Sequence, residues 1–347
     1  MLSSRKRVSF YAGRINVTAL ALIVFLTAAL IAVALLLSRL GQQAVTGPLP
    51  EGWMVIRPPH EVCTLVVDGD TVWAGGRDGL FVVDRKTGAL RTLPEGTPAM
   101  SYVAALLLDR KGRLWVAHLE GLSCLDSGEW STWGVGKDGP DARPLSLLED
   151  VNGSLWVGTE RGVGRFQAGR YTTTNMPGDL GMTTVDVLFR DRDGVLWLGC
   201  ASPTRGALCS CDGERWRSYG QKDGLKHLSI NGIVQLRDGT LWVATGFQNQ
   251  GGASRWMGDR FETWTTKDGL AGEKVRSIFE DRMGRVWFGA EYDGVAVLDG
   301  SDWQIIRPQV GLAGREVKVT VQDIDGVYWL GTDEGLSRIE RWPPGED

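Results

Sequence analysis

Residues 191–199 read Asp191-Arg192-Asp193-Gly194-Val195-Leu196-Trp197-Leu198-Gly199. The same frame, D-x-x-G-x-L/V-W-V/L/F-G/A, returns with local variation around Trp73, Trp115, Trp156, Trp242, Trp287 and Trp329. Successive tryptophans lie 42, 41, 41, 45, 45 and 42 residues apart. A period of about 40–45 residues holding four short strands is the signature of propeller blades, not of helical solenoids.

The fourth repeat divides into four strands on either side of that frame. Residues 185–190 are the inner strand A, residues 191–194 a tight turn, and residues 195–199 strand B with Trp197. Strand C falls at residues 207–211 and strand D, after Asp212-Gly213, at residues 215–219. Strand B is apolar on both faces, as in Leu155-Trp156-Val157, which is how a strand sandwiched between layers reads. Each such tryptophan is therefore expected in the core.

The last repeat has strands at residues 317–321, 327–331 and 335–339 but no strand D. Strand D elsewhere carries an aromatic residue and an apolar one three positions on: Trp130 and Trp133, Trp216 and Tyr219, Phe261 and Trp264, Trp303 and Ile306, with the third repeat looser at Tyr171 and Thr174. Trp53 and Ile56 repeat that spacing at the other end of the chain. Residues 51–57 are thus expected to supply the outer strand of the last blade, closing the ring and removing its free edges. The fold class is all-β: a seven-bladed β-propeller with four-stranded blades over residues 51–342, preceded by one transmembrane α-helix.

That helix is expected at residues 15–38, which carry no charge. Residues 17–37 as a helix span roughly 30 Å, the thickness of the hydrocarbon layer. Arg5, Lys6, Arg7 and Arg14 precede it and only Arg39 follows closely. This bias places residues 1–14 in the cytoplasm and the propeller outside it. A cleaved signal peptide would have a shorter apolar run and a small-x-small site, which residues 35–39 lack. Residues 39–50 form a linker and residues 343–347 a tail. The protein is expected in the cytoplasmic membrane as a single-pass signal anchor.

Composition agrees: 347 residues include 47 glycines and 15 tryptophans, as turns and one large aromatic per repeat require. Residues 41–347 hold 33 basic against 42 acidic residues, a net of −9, which excludes nucleic acid as the expected partner. Five cysteines without a C-x-x-C imply neither a zinc site nor a disulfide framework. They are expected mostly as small apolar strand residues.

The repeats resemble the two-component regulator propeller repeat. The resemblance is carried by Leu148-Glu149-Asp150 with Leu155-Trp156-Val157-Gly158-Thr159, by Ile278-Phe279-Glu280-Asp281 with Val286-Trp287-Phe288-Gly289, and by Trp329-Leu330-Gly331-Thr332 with Gly335-Leu336-Ser337-Arg338. It implies an extracytoplasmic sensor propeller, often for glycans, of the kind found on membrane-bound hybrid histidine kinases. No second span, kinase or receiver follows the seventh repeat, so recognition is the role expected, as a sensor or scaffold for an extracytoplasmic ligand or protein.

Asp109, Asp150, Asp191, Asp281 and Asp323 recur at the A–B turns. They are read as turn caps rather than calcium ligands. Candidate ligand-binding residues lie instead on the opposite face, where the D–A and B–C connections are irregular. They are His118, Glu120, Arg161, Arg205, Phe247, Gln248, Asn249, Glu291, Tyr292, Asp333 and Glu334. Residues 201–205 and 246–251 are its longest B–C loops. The pair His118 and Glu120 has the residue types of acid–base or metal chemistry. A propeller lyase acting on cyclic depsipeptide antibiotics is similar in architecture and uses His, Glu and a divalent metal, so a metal-dependent lyase or hydrolase is the alternative. His60, His118 and His227 belong to different blades, and no G-x-S-x-G, H-E-x-x-H or phosphate loop is present. No catalytic residue, metal or cofactor is expected.

Overall fold

The computed structural model describes residues 48–177, 183–201, 208–213 and 215–343. The expected cytoplasmic segment, the transmembrane helix and nearly all of the linker lie outside them. No helix among the described residues is long and apolar enough to cross a membrane.

Seven antiparallel four-stranded sheets make up the described chain. Six are formed by strands consecutive in sequence; the seventh combines Val317–Gln322, Tyr328–Thr332 and Gly335–Ile339 with Trp53–Ile56. Trp53 pairs with Ile339, Met54 with Arg338, Val55 with Ser337 and Ile56 with Leu336. The ring is therefore closed by the N-terminal strand, as its Trp-x-x-Ile spacing predicts. Numbered by their inner strands, blades 1 to 7 begin at Thr64, Ala105, Pro144, Val187, Ile230, Val275 and Val317. Inner strands of neighbouring blades contact one another all round the ring, so strand A of every blade lines the central channel.

All seven repeat tryptophans are buried, none more than 7% exposed. They pack between blades: Trp115 stacks on Trp133 and meets the edge of Phe166 of the next blade. The glycine two residues after the tryptophan has a steric reason. A Cβ on Gly158 would lie 2.3 Å from the Val185 carbonyl oxygen, and one on Gly289 2.2 Å from that of Val317. The motif thus lets the inner strand of each blade press against strand B of the one before it.

One boundary differs from expectation. Residues 246–251 are not an irregular loop: Leu241–Phe247 and Gln250–Trp256 continue as a paired hairpin to Phe247 opposite Gln250. Gln248, with φ of 53°, begins its two-residue turn with Asn249. The longer spacing at this repeat reflects longer strands.

Candidate functional site at the channel mouth

The regular turn face is structurally committed. Asp109 accepts the amides of Lys111 and Arg113, both at 2.9 Å, on one oxygen, and the Trp115 indole N–H at 2.9 Å on the other. Asp191, Asp281 and Asp323 likewise hold Trp197, Trp287 and Trp329 at 2.8–3.0 Å. The turn cap is as expected; the bond to the blade's own tryptophan was not anticipated, although the constant six-residue offset was visible. Asp281 also receives Arg285 and the Tyr328 hydroxyl of the next blade. Burial would raise its pKa, but these donors outweigh burial and hold it below the carboxylate norm. Among the described residues, no three His, Cys, Asp or Glu side chains converge as cation ligands.

The other face separates the candidates. His118 ends strand Leu114–His118 of blade 2 and is 4% exposed. Its Nδ1 lies 3.0 Å from Glu120 and its Nε2 2.8 Å from the Ser123 hydroxyl. Burial depresses its pKa despite Glu120. Burial would raise Glu120, but the Ser101 amide at 3.0 Å and His118 outweigh it, bringing Glu120 down to about 2. The pair is thus internally satisfied. Arg161 stands alone on blade 3, exposed. Arg205 lies outside the described residues.

The remaining candidates come together on blades 5 to 7. The Lys274 ammonium sits 5.8 Å above the Phe247 ring and 2.7 Å from Glu291. The Arg315 guanidinium lies 5.7 Å over Tyr292. Asp333 accepts the amides of Arg315 and Glu316 at 2.8 and 2.9 Å, and Glu334 pairs with Arg57 at 3.6 Å. Gln248 and Asn249 form the neighbouring hairpin tip.

Residues that sequence reasoning missed complete this arc. Strand A begins with a bulge in blades 3, 5, 6 and 7, leaving Leu145, Asn231, Arg276 and Lys318 out of the ladder. A bulge re-aims its extra residue, and here it does so at the mouth of the channel. Arg276 lies 2.6 Å from Glu316, and Lys318 bridges Glu316 at 3.1 Å and Glu61 at 2.5 Å. The Cys63 thiol lies 3.6 Å from Glu61. Burial would lower the Lys318 pKa, but the carboxylates, Glu316 first, reverse this and raise it. Burial pushes the Cys63 thiol up to about 11 in spite of Lys318. One buried atom of the arc, Glu291 Oε2, has no hydrogen-bond partner among the described residues. A periodic hydrophobic pattern cannot reveal such residues, since a bulge is invisible in sequence.

The arrangement offers fixed charges of both signs, with Phe247 and Tyr292 exposed at its rim, and a thiol held protonated.

The family model of the two component regulator propeller matches residues 269–292, the stretch that carries Lys274, Arg276, Glu291 and Tyr292. The chain therefore carries that repeat, as the motif resemblance implies. Among solved structures, the extracellular domain of a hybrid two component system from B. thetaiotaomicron superposes with a TM-score of 0.71 at 19% identity over 84% of this chain. This chain spans 41% of that one. A catalytically inactive virginiamycin B lyase from Staphylococcus aureus with quinupristin gives a TM-score of 0.62 at 15% identity, covering 82% of this chain and 98% of that one. YCF48 bound to D1 peptide gives 0.63 at 14% identity, covering 86% and 100%. Likeness at these identities shows the fold alone. No curated protein matches the chain in sequence.

Proposed function

We propose that the protein is a membrane-tethered, extracytoplasmic recognition module that takes a polar ligand, a glycan or a peptide, at the channel mouth of blades 5, 6, 7 and 1. It serves signalling as a sensor or a scaffold rather than as a catalyst. One observation carries this reading: half-buried charges of both signs gather on one arc of the ring, with Glu291 Oε2 buried and unpartnered. Buried polar atoms without partners are costly in a resting protein, and a ligand offering hydroxyls, amides or both charges would supply them. The sensor role draws on the repeat type and on the two component domain of the same fold. Tethering and orientation draw on residues 15–38 and on Arg5, Lys6, Arg7 and Arg14.

The test is a binding screen of neutral oligosaccharides and short peptides against the full-length chain in detergent, followed by calorimetry. Arg276→Gln should weaken the best binder by about tenfold, the scale of a lost charge-assisted bond, whereas Arg161→Gln should leave it unchanged. No saturable binder, or equal losses in both variants, would overturn the assignment. Turnover of a binder that His118→Ala abolishes would establish the lyase or hydrolase alternative instead. A reporter active only outside the cytoplasm, fused after Asp347, should be active.

A further inference from the structure

The junction between blades 3 and 4 departs from a pattern that four other junctions keep. At four junctions the A–B turn of one blade is latched to the next: the amides of Arg110, Arg192, Arg237 and Arg282 donate to Glu149, Gln235, Glu280 and Gln322 at the end of the following strand A. Each of those arginines also donates its guanidinium to carbonyls of the following turn. At the junction of blades 3 and 4 both latch residues are replaced. Val151 stands where the others have arginine, and Arg190 stands where they have Glu or Gln. Arg190 cannot accept the Val151 amide, which turns to Asp150 at 2.8 Å instead.

Asp150 is displaced in consequence. It is 3% exposed, yet it does not bind the indole of its own blade, as Asp109, Asp191, Asp281 and Asp323 do. It pairs instead with Arg165 at 2.9 Å and Arg190 at 3.2 Å. Asn152 takes over the Ser154 amide. Trp156 Nε1 and Arg190 Nε are left buried without partners. Arg165, 4.3 Å above the Trp156 ring, and Arg190 line a cleft of about 420 Å³ between the two blades, together with Thr174, Asn175, Leu196 and Trp216. Two guanidiniums share one carboxylate, so the cleft carries an excess of positive charge.

We propose that this cleft is a second ligand site, distinct from the channel mouth, for a carboxylate borne on a planar or cyclic body. The carboxylate takes Arg165 and Arg190, whose fork geometry matches it bidentately, and the body lies against Trp216 and Leu196. Thr174 and Asn175 offer further donors at the edge. Once the arginines are neutralised, Asp150 is free to rotate to the Trp156 indole, the bond its counterparts make in four other blades. The resident carboxylate thus acts as a competitor that the ligand displaces, and binding restores a bond rather than stranding a charge.

This mechanism makes an unusual prediction of sign. Benzoate and glucuronate, with benzyl alcohol and glucose as uncharged counterparts, are titrated against the full-length chain in detergent at constant ionic strength, by calorimetry and thermal shift. The two carboxylates should bind saturably and their neutral counterparts should not. Asp150→Asn removes the competitor and should tighten the carboxylates several-fold, on the order of the charge-assisted bonds released. Arg190→Gln and Arg165→Gln should weaken them by about tenfold each. Equal response to charged and neutral probes, an Asp150→Asn variant that binds no tighter than wild type, or arginine variants that bind as wild type would each overturn the proposal. Arg276→Gln at the channel mouth should leave this binding unchanged, and a loss there would assign the probes to the other site.

Discussion

Truncating Trp53 to alanine should unlatch the ring at a cost set by one side chain. Trp53 is 7% exposed and packs on Trp287, Tyr328, Leu330 and Ile339, with its ring 6.0 Å from that of Trp342. An indole of this burial removes roughly 200 Å² from water, worth about 5 kcal/mol at ~25 cal/mol per Å². Alanine keeps part of that, and partial collapse recovers more; buried aromatic truncations cost about 3–5 kcal/mol. The Trp53 indole N–H has no partner, so no hydrogen bond is added to the loss. We take about 4 kcal/mol. For a propeller of ~300 residues the unfolding entropy is roughly 0.6 kcal/mol/K, so Tm should fall by about 6 °C. The assay is thermal and urea unfolding of the full-length chain, with Met54→Ala as the control. Met54 lies on the same strand but is 37% exposed, and its truncation should cost under ~1 kcal/mol. If Trp53→Ala and Met54→Ala were equally mild, the N-terminal strand would not hold the ring, and its pairing with Gly335–Ile339 would be incidental to stability.

Asp281→Ala should destabilise by about 3–5 kcal/mol, because Arg285, 9% exposed, is left charged without its partner; chemical denaturation measures it, and a cost below ~1 kcal/mol would refute it. Asp109, Asp281 and Glu120 all have depressed pKa values in the fold, so their contribution is complete above the ordinary carboxylate range and is lost as pH falls through the folded values, which for Glu120 is about 2. Stability measured below about pH 4.5 should therefore decline, and Asp281→Asn should flatten that limb. His118 is depressed as well: its neutral form is favoured, so its contribution is complete above about pH 6.5 and erodes below it, an erosion that His118→Gln should remove. Cys63, with a pKa near 11, should resist iodoacetamide at pH 7.5 in the folded protein and react as the pH approaches 11; rapid alkylation at neutral pH would show that the thiol is not held protonated.

The architecture was legible because each blade repeats one physical problem. A strand between two layers must be apolar on both faces, must carry one large residue to fill the wedge, and must end in a residue small enough for the neighbour's backbone. Trp156 with Gly158, and Trp287 with Gly289, state that solution in sequence. The closure was legible for the same reason, since Trp53-x-x-Ile56 has the spacing of strand D in blades 2, 4, 5 and 6. Half of the candidate site was visible as well: Phe247, Glu291, Tyr292 and Asp333 stand out as irregular residues on the variable face. Arg276, Lys318, Glu61 and Cys63 did not, because at strand entry they look like ordinary alternation. Only the bulges at Arg276 and Lys318 turn them out of the ladder, and a one-residue change of register leaves no signature in composition or period. His118 and Glu120 show the converse. Their residue types suggest chemistry, but Ser123 and the Ser101 amide absorb them.

In a repeat protein, a residue that recurs at the same place in most blades answers the needs of the blade, and information about ligands lies in departures. The Asp–Trp bond of blades 2, 4, 6 and 7 illustrates the first half: an acidic ring that suggests cation binding proves to be four copies of one internal bond. Blade 3 illustrates the second. Asp150 has the same identity and the same turn, but Val151 and Arg190 have changed around it, and the same carboxylate now faces two guanidiniums. The channel mouth obeys the same logic. All seven inner strands enter there, and blades 6, 7 and 1 link Arg276, Glu316, Lys318 and Glu61 in one run of opposite charges, while the bulge positions of blades 2 and 3 are occupied by Ala104 and Leu145. Asymmetry imposed on a closed symmetric ring costs buried, incompletely paired polar atoms, and nothing in the packing of a blade requires it. The two ligand sites we propose account for that cost, which is why the positions where blades differ are a better guide to function than those where they agree.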